Sequence, residues 1–169
     1  TRLFGLVTGG TVPRFRSSLS FGEATRLLAL GSVLDAAQLD AIEHCLRAED
    51  YALLLGMPGT GKTTTVAALV SLLVADGRRV AISSYTHSAV DTLLLKLQSE
   101  RQIEVLRIGN AERVHPALQS CVVTAGNFDS VATLKARLNK AQVVGFTSLA
   151  ANHPVLAALP AAVVTEERP

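Results

Sequence analysis

Gly56-Met57-Pro58-Gly59-Thr60-Gly61-Lys62-Thr63 is the stretch on which the fold turns. It satisfies G-x-x-x-x-G-K-[ST] at every required position, after the apolar run Ala52-Leu53-Leu54-Leu55 and before a helical pattern. The run reads as a buried strand. Val66, Leu69, Val70, Leu73 and Val74 recur on one face of a helix, and Gly77 stands where a left-handed C-terminal cap belongs. Strand, glycine-rich turn and helix in that order make a phosphate cradle. The glycines let backbone N–H groups converge on phosphate oxygens, and the helix N-terminus adds partial positive charge. Lys62 is placed to reach the β- and γ-phosphates, and the Thr63 hydroxyl to ligate Mg²⁺. The loop establishes nucleotide binding. Many enzyme classes share it, so other segments must decide the chemistry.

Outward from the loop, strand and helix alternate. Arg79 to Ser83, Glu104 to Ile108, Cys121 to Thr124, Val143 to Thr147 and Ala161 to Thr165 read as further strands. Val90, Leu93, Leu94 and Leu97 mark one intervening helix, and Val131, Leu134 and Leu138 another. Upstream, Asp35 opens a helix carrying Leu39, Ile42 and Leu46. The pattern predicts an α/β fold with a mainly parallel sheet flanked by helices. Residues 1–31, broken by Gly9-Gly10 and Pro13, read as a loop or lead-in, with the nucleotide-binding domain over 32–169.

Composition sets bounds. A chain of 169 residues fits one domain, and 49% hydrophobic against 18% charged side chains excludes wholesale disorder. Aromatics are 4%, so the core must be aliphatic. A formal net charge of +2 excludes a dominant basic field, so any nucleic-acid contact must be local. Two cysteines, Cys45 and Cys121, cannot make a disulfide framework and read as small buried hydrophobes. No apolar run approaches the ~18 residues that span a bilayer, so no membrane is expected.

Two segments carry discriminating chemistry. Gln38 lies eighteen residues before Gly56, on the helix that Asp35 opens. Asp35-x-x-Gln38 fits a capping box; alternatively the Gln38 amide reads an adenine edge, and spacing alone favours the cap. Ser84-Tyr85-Thr86-His87-Ser88-Ala89-Val90-Asp91 follows a strand end, the ligand-binding edge of such sheets. It reads equally as a nucleic-acid contact, with Tyr85 stacking on a base, or as a cap in which Ser88 pairs with Asp91. Arg107 reads as a solvated strand residue, with a phosphate contact as the alternative. His115 and His153, each before a proline, read as turn formers. Lys135, Arg137 and Lys140 read as a solvated helix face.

Taken together, Leu34-Asp35-x-x-Gln38-x-x-Ala41-Ile42, the phosphate loop continued through Thr64-Thr65, and Ser84 to Asp91 resemble a superfamily 1 helicase. The resemblance is strongest to the branch of eukaryotic DNA replication and repair helicase/nucleases. Val105 to Gly109, Val114-His115-Pro116, Val143 to Leu149 and Asn152-His153-Pro154 extend it. The resemblance implies the first RecA-like P-loop domain, using ATP and Mg²⁺. Gln38, Gly56, Pro58, Gly59, Thr60, Gly61, Lys62, Thr63 and Thr64 would then bind the nucleotide. Tyr85, Thr86, His87 and Thr147 would contact single-stranded nucleic acid, while Asp91 stays a structural cap. The implied activity is ATP-driven 5′ to 3′ translocation on, and unwinding of, DNA in replication and repair. An RNA helicase of the same superfamily and a non-catalytic nucleotide-binding remnant remain alternatives. The implied compartment is the nucleus, with cytoplasm and mitochondrion as alternatives.

One element departs from the family pattern. The second acidic motif, Asp-Glu at a later strand end, aligns with Thr165-Glu166, so Thr stands where the Mg²⁺-positioning Asp is expected. Glu166 would take the place of the catalytic Glu. The expectation is an incomplete domain, cut near this motif, lacking the second RecA-like domain, and inactive in isolation.

Overall fold

The computed structural model describes residues 12–123, 131–153, 156 and 162–166. Thr124, Pro154, Ala161 and residues 1–11, which carry parts of the expectations above, lie outside the described residues. The chain divides into two compact units, Thr1–Leu72 and Leu73–Pro169.

The first unit begins with a helix inside the expected lead-in. α1 (Phe21–Leu28) starts at a reciprocal capping box, with Ser20 as N-cap and Glu23 reaching back to the Ser20 N–H. The S-x-x-E signature was present in the sequence, masked by the surrounding glycines and arginines. Glu23 is buried and accepts two hydrogen bonds from Arg16, at 2.8 and 3.1 Å. Arg16 also donates to the Leu46 carbonyl at 2.6 Å, tying residues before α1 to the end of α2 (Ala36–Arg47). Asp35 is the N-cap of α2, as its position predicted. α3 (Lys62–Ala75) follows the phosphate loop directly.

The expected strand Ala52–Leu55 is corrected. No strand forms there, and Leu55 is 99% exposed. A short apolar run becomes a strand only where a neighbouring strand completes its ladder and covers its faces. The described residues of this unit offer only an isolated antiparallel bridge, Phe15 to Ala48.

The second unit contains the sheet. α3 terminates as predicted at Gly77, where the Gly77 N–H donates to Val74 and the Arg78 N–H to Leu73, the paired bonds of a Schellman cap. β1 (Val80–Ser84), α4 (His87–Arg101), β2 (Val105–Ile108), β3 (Val122–Val123), α5 (Val131–Lys140), β4 (Val143–Thr147) and β5 (Ala162–Glu166) follow in order. The sheet runs β3-β2-β4-β1-β5, and every pairing is parallel. β1, β2 and β4 are buried at every position, the expected signature of parallel strands covered on both faces.

Alternation along the strands sorts the two faces. Ala81, Leu106, Ile108, Val144 and Phe146 form one apolar cluster, joined by Leu138 from α5. The opposite face receives α4. A Cβ at Gly145 would lie 2.6 Å from Leu94 Cδ1 and 2.8 Å from Val90 Cγ1, so the helix seats there because β4 offers a bare backbone. The parallel register sets strand ends level: Ser84 pairs with Thr147 and with Glu166. The segments that follow β1 and β4 therefore leave the sheet at one edge, the carboxyl edge where α/β folds bind ligands.

Candidate nucleotide and nucleic-acid sites

In the first unit, the phosphate loop folds around Lys62. Its Nζ donates to the Gly56 carbonyl at 2.9 Å and to the Met57 carbonyl at 3.0 Å. The ammonium thus occupies the loop's own concavity, satisfied by backbone oxygens. Gly56 makes this possible: a Cβ there would lie 2.6 Å from Lys62 Cγ. Thr60 closes the turn, its hydroxyl donating to Met57 O at 2.8 Å. Gly59 and Gly61 both take positive φ, at 83° and 74°, conformations that L side chains rarely adopt. The helix begins at Lys62, and the N–H groups of Thr64 and Thr65 bond back to Gly61 O. Thr63 lies half-buried in the first turn and Pro58 is exposed on the loop.

Gln38 belongs to this site. Its Oε1 accepts from the Asp35 N–H at 3.1 Å, while the Asp35 carboxylate accepts from the Gln38 N–H at 2.8 Å. Its Nε2 donates to the Thr60 carbonyl at 3.2 Å. The capping box is therefore real. The same amide also reaches the phosphate loop, because its nitrogen is not consumed by the cap. A side chain at position 61 would collide with it, since a Cβ there would sit 2.6 Å from Gln38 Nε2.

In the second unit, the segment between β1 and α4 carries the expected nucleic-acid residues. Tyr85 is 72% exposed, its ring free to meet a planar partner. Thr86 is the N-cap of α4, its Oγ1 accepting from the Ala89 N–H at 3.2 Å. The cap expected from Ser88 and Asp91 is corrected, since Thr86 sits at the first non-helical position and takes that role. His87 is half-buried in the first turn. Thr147 is 5% exposed at the end of β4, so its side chain is packed inside and does not stand beside Tyr85 on the surface. Glu166 ends β5, level with Ser84.

Asp91 and Arg107 depart furthest from expectation. Arg107 is 0% exposed. Its Nε donates to Asp91 Oδ1 at 2.7 Å and its Nη1 to the Ile108 carbonyl at 2.6 Å. Asp91 Oδ2 accepts the His115 N–H at 2.7 Å. Arg107 Nη2 lies 3.1 Å from His87 Nδ1. A solvated arginine is excluded, and Asp91 is a buried counter-ion rather than a cap. The signal was available: Arg107 interrupts the apolar run Val105-Leu106-Arg107-Ile108, and a charge inside a strand covered on both faces requires a partner. An open groove of about 430 Å³ borders this cluster, lined by His87, Ser88, Asp91, Arg113 and His115 among others. His115 shapes its turn as expected, its Nδ1 accepting the Ala117 N–H. Arg137 and Lys140 are exposed, Lys140 pairing with Glu104 at 2.7 Å.

These features define an α/β P-loop nucleotide-binding domain. Residues 33–141 match the family described as an AAA domain, more than half of the chain, and the chain belongs to that family. Within it the chain is a superfamily 1 helicase domain, and nucleotide binding comes with that membership. It is 39% identical over 150 residues to the DNA replication ATP-dependent helicase/nuclease DNA2 of Saccharomyces cerevisiae, covering 89% of this chain and 10% of that protein. It is 43% identical over 146 residues to the DNA replication ATP-dependent helicase/nuclease JHS1 of Arabidopsis thaliana, covering 85% of this chain and 11% of that protein. Against human DNA2, of the same description, identity is 42% over 126 residues, covering 72% of this chain and 12% of that protein. The chain thus spans about a tenth of the length of the curated relatives it matches.

Proposed function

We propose that residues 32–169 form the first RecA-like ATP-binding domain of an ATP-dependent DNA helicase acting in replication and repair in the nucleus. The supporting observation is the phosphate loop. Its glycines, its lysine and the helix behind it have the arrangement that grips a nucleoside triphosphate, in a chain whose relatives are named ATP-dependent helicase/nucleases. In this reading Lys62 leaves the Gly56 and Met57 carbonyls for the β- and γ-phosphates. Backbone N–H groups around Gly59 to Thr64 would hold the phosphate oxygens, with Pro58 shaping the turn, and the Thr63 hydroxyl would be a ligand to Mg²⁺. The Mg²⁺ would draw charge from the phosphoryl group being transferred. Gln38 exchanges its backbone partners for the adenine edge.

Tyr85, Thr86 and His87 form the contact to single-stranded DNA. Their segment leaves the carboxyl edge of the sheet with an exposed ring for base stacking and polar groups for the backbone. Coupling of hydrolysis to 5′ to 3′ movement follows in concert with a second RecA-like domain. Fluorescence anisotropy with matched DNA and RNA oligonucleotides tests the strand assignment. Tighter binding of the DNA strand is expected, weakening with salt; preference for the RNA strand would transfer the domain to an RNA helicase.

A second reading is favoured by one residue. Thr165 stands where the family pattern has the metal-positioning Asp, a sequence departure that suits a nucleotide-binding module without hydrolysis. ATP binding with no phosphate release in the presence of single-stranded DNA would select this reading.

A further inference from the structure

The second unit holds a relay of buried and half-buried hydrogen bonds that the proposed strand contact leaves unexplained. It runs from the His115 N–H to Asp91, from Asp91 to Arg107, and from Arg107 to His87. Its three side chains come from α4 and β2, and the fourth partner is the backbone of the turn after β2. A guanidinium has five donors and no acceptor, and it stays protonated at any pH a protein survives. The atom facing Arg107 Nη2 must therefore be a lone pair. That atom is His87 Nδ1. The ring is then neutral, with its proton on Nε2 and its only remaining polar group a donor.

We infer that Arg107 is a positioning residue, which fixes His87 as a neutral Nε2–H donor to single-stranded nucleic acid. This deepens the strand-contact reading and rests on it. Asp91 holds the guanidinium from behind, and the His115 N–H holds Asp91, so the orientation of His87 is set by three elements at once. The groups facing His87 are Asp91 on its own helix, Arg107 from β2, and Arg113 from the short 3₁₀ turn at Ala111–Arg113. Burial, then the charge of Arg107, holds the imidazole below its ordinary value; Asp91 opposes this and Arg113 reinforces it. A neutral donor can bond to a phosphate oxygen or a base carbonyl without adding a counter-charge. Binding through His87 therefore adds nothing to the salt dependence of the interaction while the ring is neutral, and the ring gains charge only at lower pH than a free histidine does.

Nitrogen-15 NMR of the full chain, labelled at histidine, tests the inference. His87→Gln supplies the assignment. The expected spectrum shows His87 in the Nε2–H form, with a midpoint below that of free histidine. A Nδ1–H form, or a midpoint above ~6.5, would overturn the inference. This result stands on the unmodified protein, whether or not any variant folds. Arg107→Gln, checked by thermal melting, provides the functional arm. Its affinity for a fluorescent single-stranded oligonucleotide should rise severalfold from pH 8 to pH 6 beyond any rise in the unmodified chain, and its salt slope should steepen by about 0.7 as His87 gains a charge. Equal pH and salt dependence in the two proteins would overturn it. His87→Ala separates the two levels. Unchanged strand affinity in that variant defeats the contact reading, while the NMR tautomer still decides the positioning by Arg107.

Discussion

The amide nitrogen of Gln38 lies 3.2 Å from the carbonyl oxygen of Thr60, so the cap of α2 and the tip of the phosphate loop are joined by one side chain. The same side chain closes the capping box with Asp35. The cap and the bond to the phosphate loop, which the sequence did not connect, are thus made by one amide.

This relationship predicts a double effect for Gln38→Ala. Loss of the capping box should lower stability by about 1 kcal/mol, roughly 2–4 °C in melting temperature. With the adenine contact gone, preference for ATP over GTP should fall as well. Thermal melts paired with competition binding measure both; a lower melting temperature with unchanged base preference would confine Gln38 to the cap.

Gly56→Ala should damage the loop without unfolding the domain. The new Cβ would fall 2.6 Å from Lys62 Cγ and 2.7 Å from Cδ, displacing the lysine from its path. Nucleotide affinity should drop about tenfold, equivalent to ~1.4 kcal/mol. Calorimetric titration beside a melting curve checks that affinity falls while the fold persists.

How far the sequence reached depends on what each residue type constrains. The phosphate loop was legible because glycine, lysine and threonine at fixed spacing meet a local geometric demand. The strands β1, β2 and β4 were legible because parallel strands covered on both faces carry near-continuous apolar runs, even with Arg107 interrupting β2. The strand expected at Ala52–Leu55 failed for a non-local reason: apolar character does not supply a partner. Arg107 was misread because a lone arginine suggests solvent, whereas its counter-ion Asp91 lies sixteen residues away and meets it only once α4 seats on β4. Thr86 was placed in the right loop, yet its hydroxyl is engaged in capping α4.

The Asp91–Arg107 pair should be expensive to break from one side. Asp91→Ala leaves a fully buried guanidinium without its counter-charge and strands the His115 N–H, at a cost of roughly 3–5 kcal/mol. Urea denaturation of the variant should show a lowered midpoint with little change in slope. A loss under ~1 kcal/mol would mean that the guanidinium escapes to water.

Acid should loosen the first unit through Glu23. The Arg16 guanidinium beside it holds its carboxyl at about 2, against 4.5 ordinarily. A carboxyl depressed in the folded state contributes stability that is fully present above the unfolded value and is lost as pH falls through the folded one. The contribution, on the order of 2 kcal/mol, should be complete above about pH 5 and disappear between about pH 4.5 and 2. Glu23→Gln should be less stable than the unmodified chain at pH 7, with the difference closing at pH 2. A difference independent of pH would remove the ion pair from the account.

The central claim is that the loop from Gly56 to Thr63 grips a nucleoside triphosphate through Lys62. Calorimetric titration of ATP with Mg²⁺ into the unmodified chain and into Lys62→Ala measures this directly. The account predicts saturable one-site binding by the unmodified chain and affinity at least about tenfold weaker in the variant, a loss of ~1.4 kcal/mol or more. Equal affinity in the two proteins, with both folded, would contradict it.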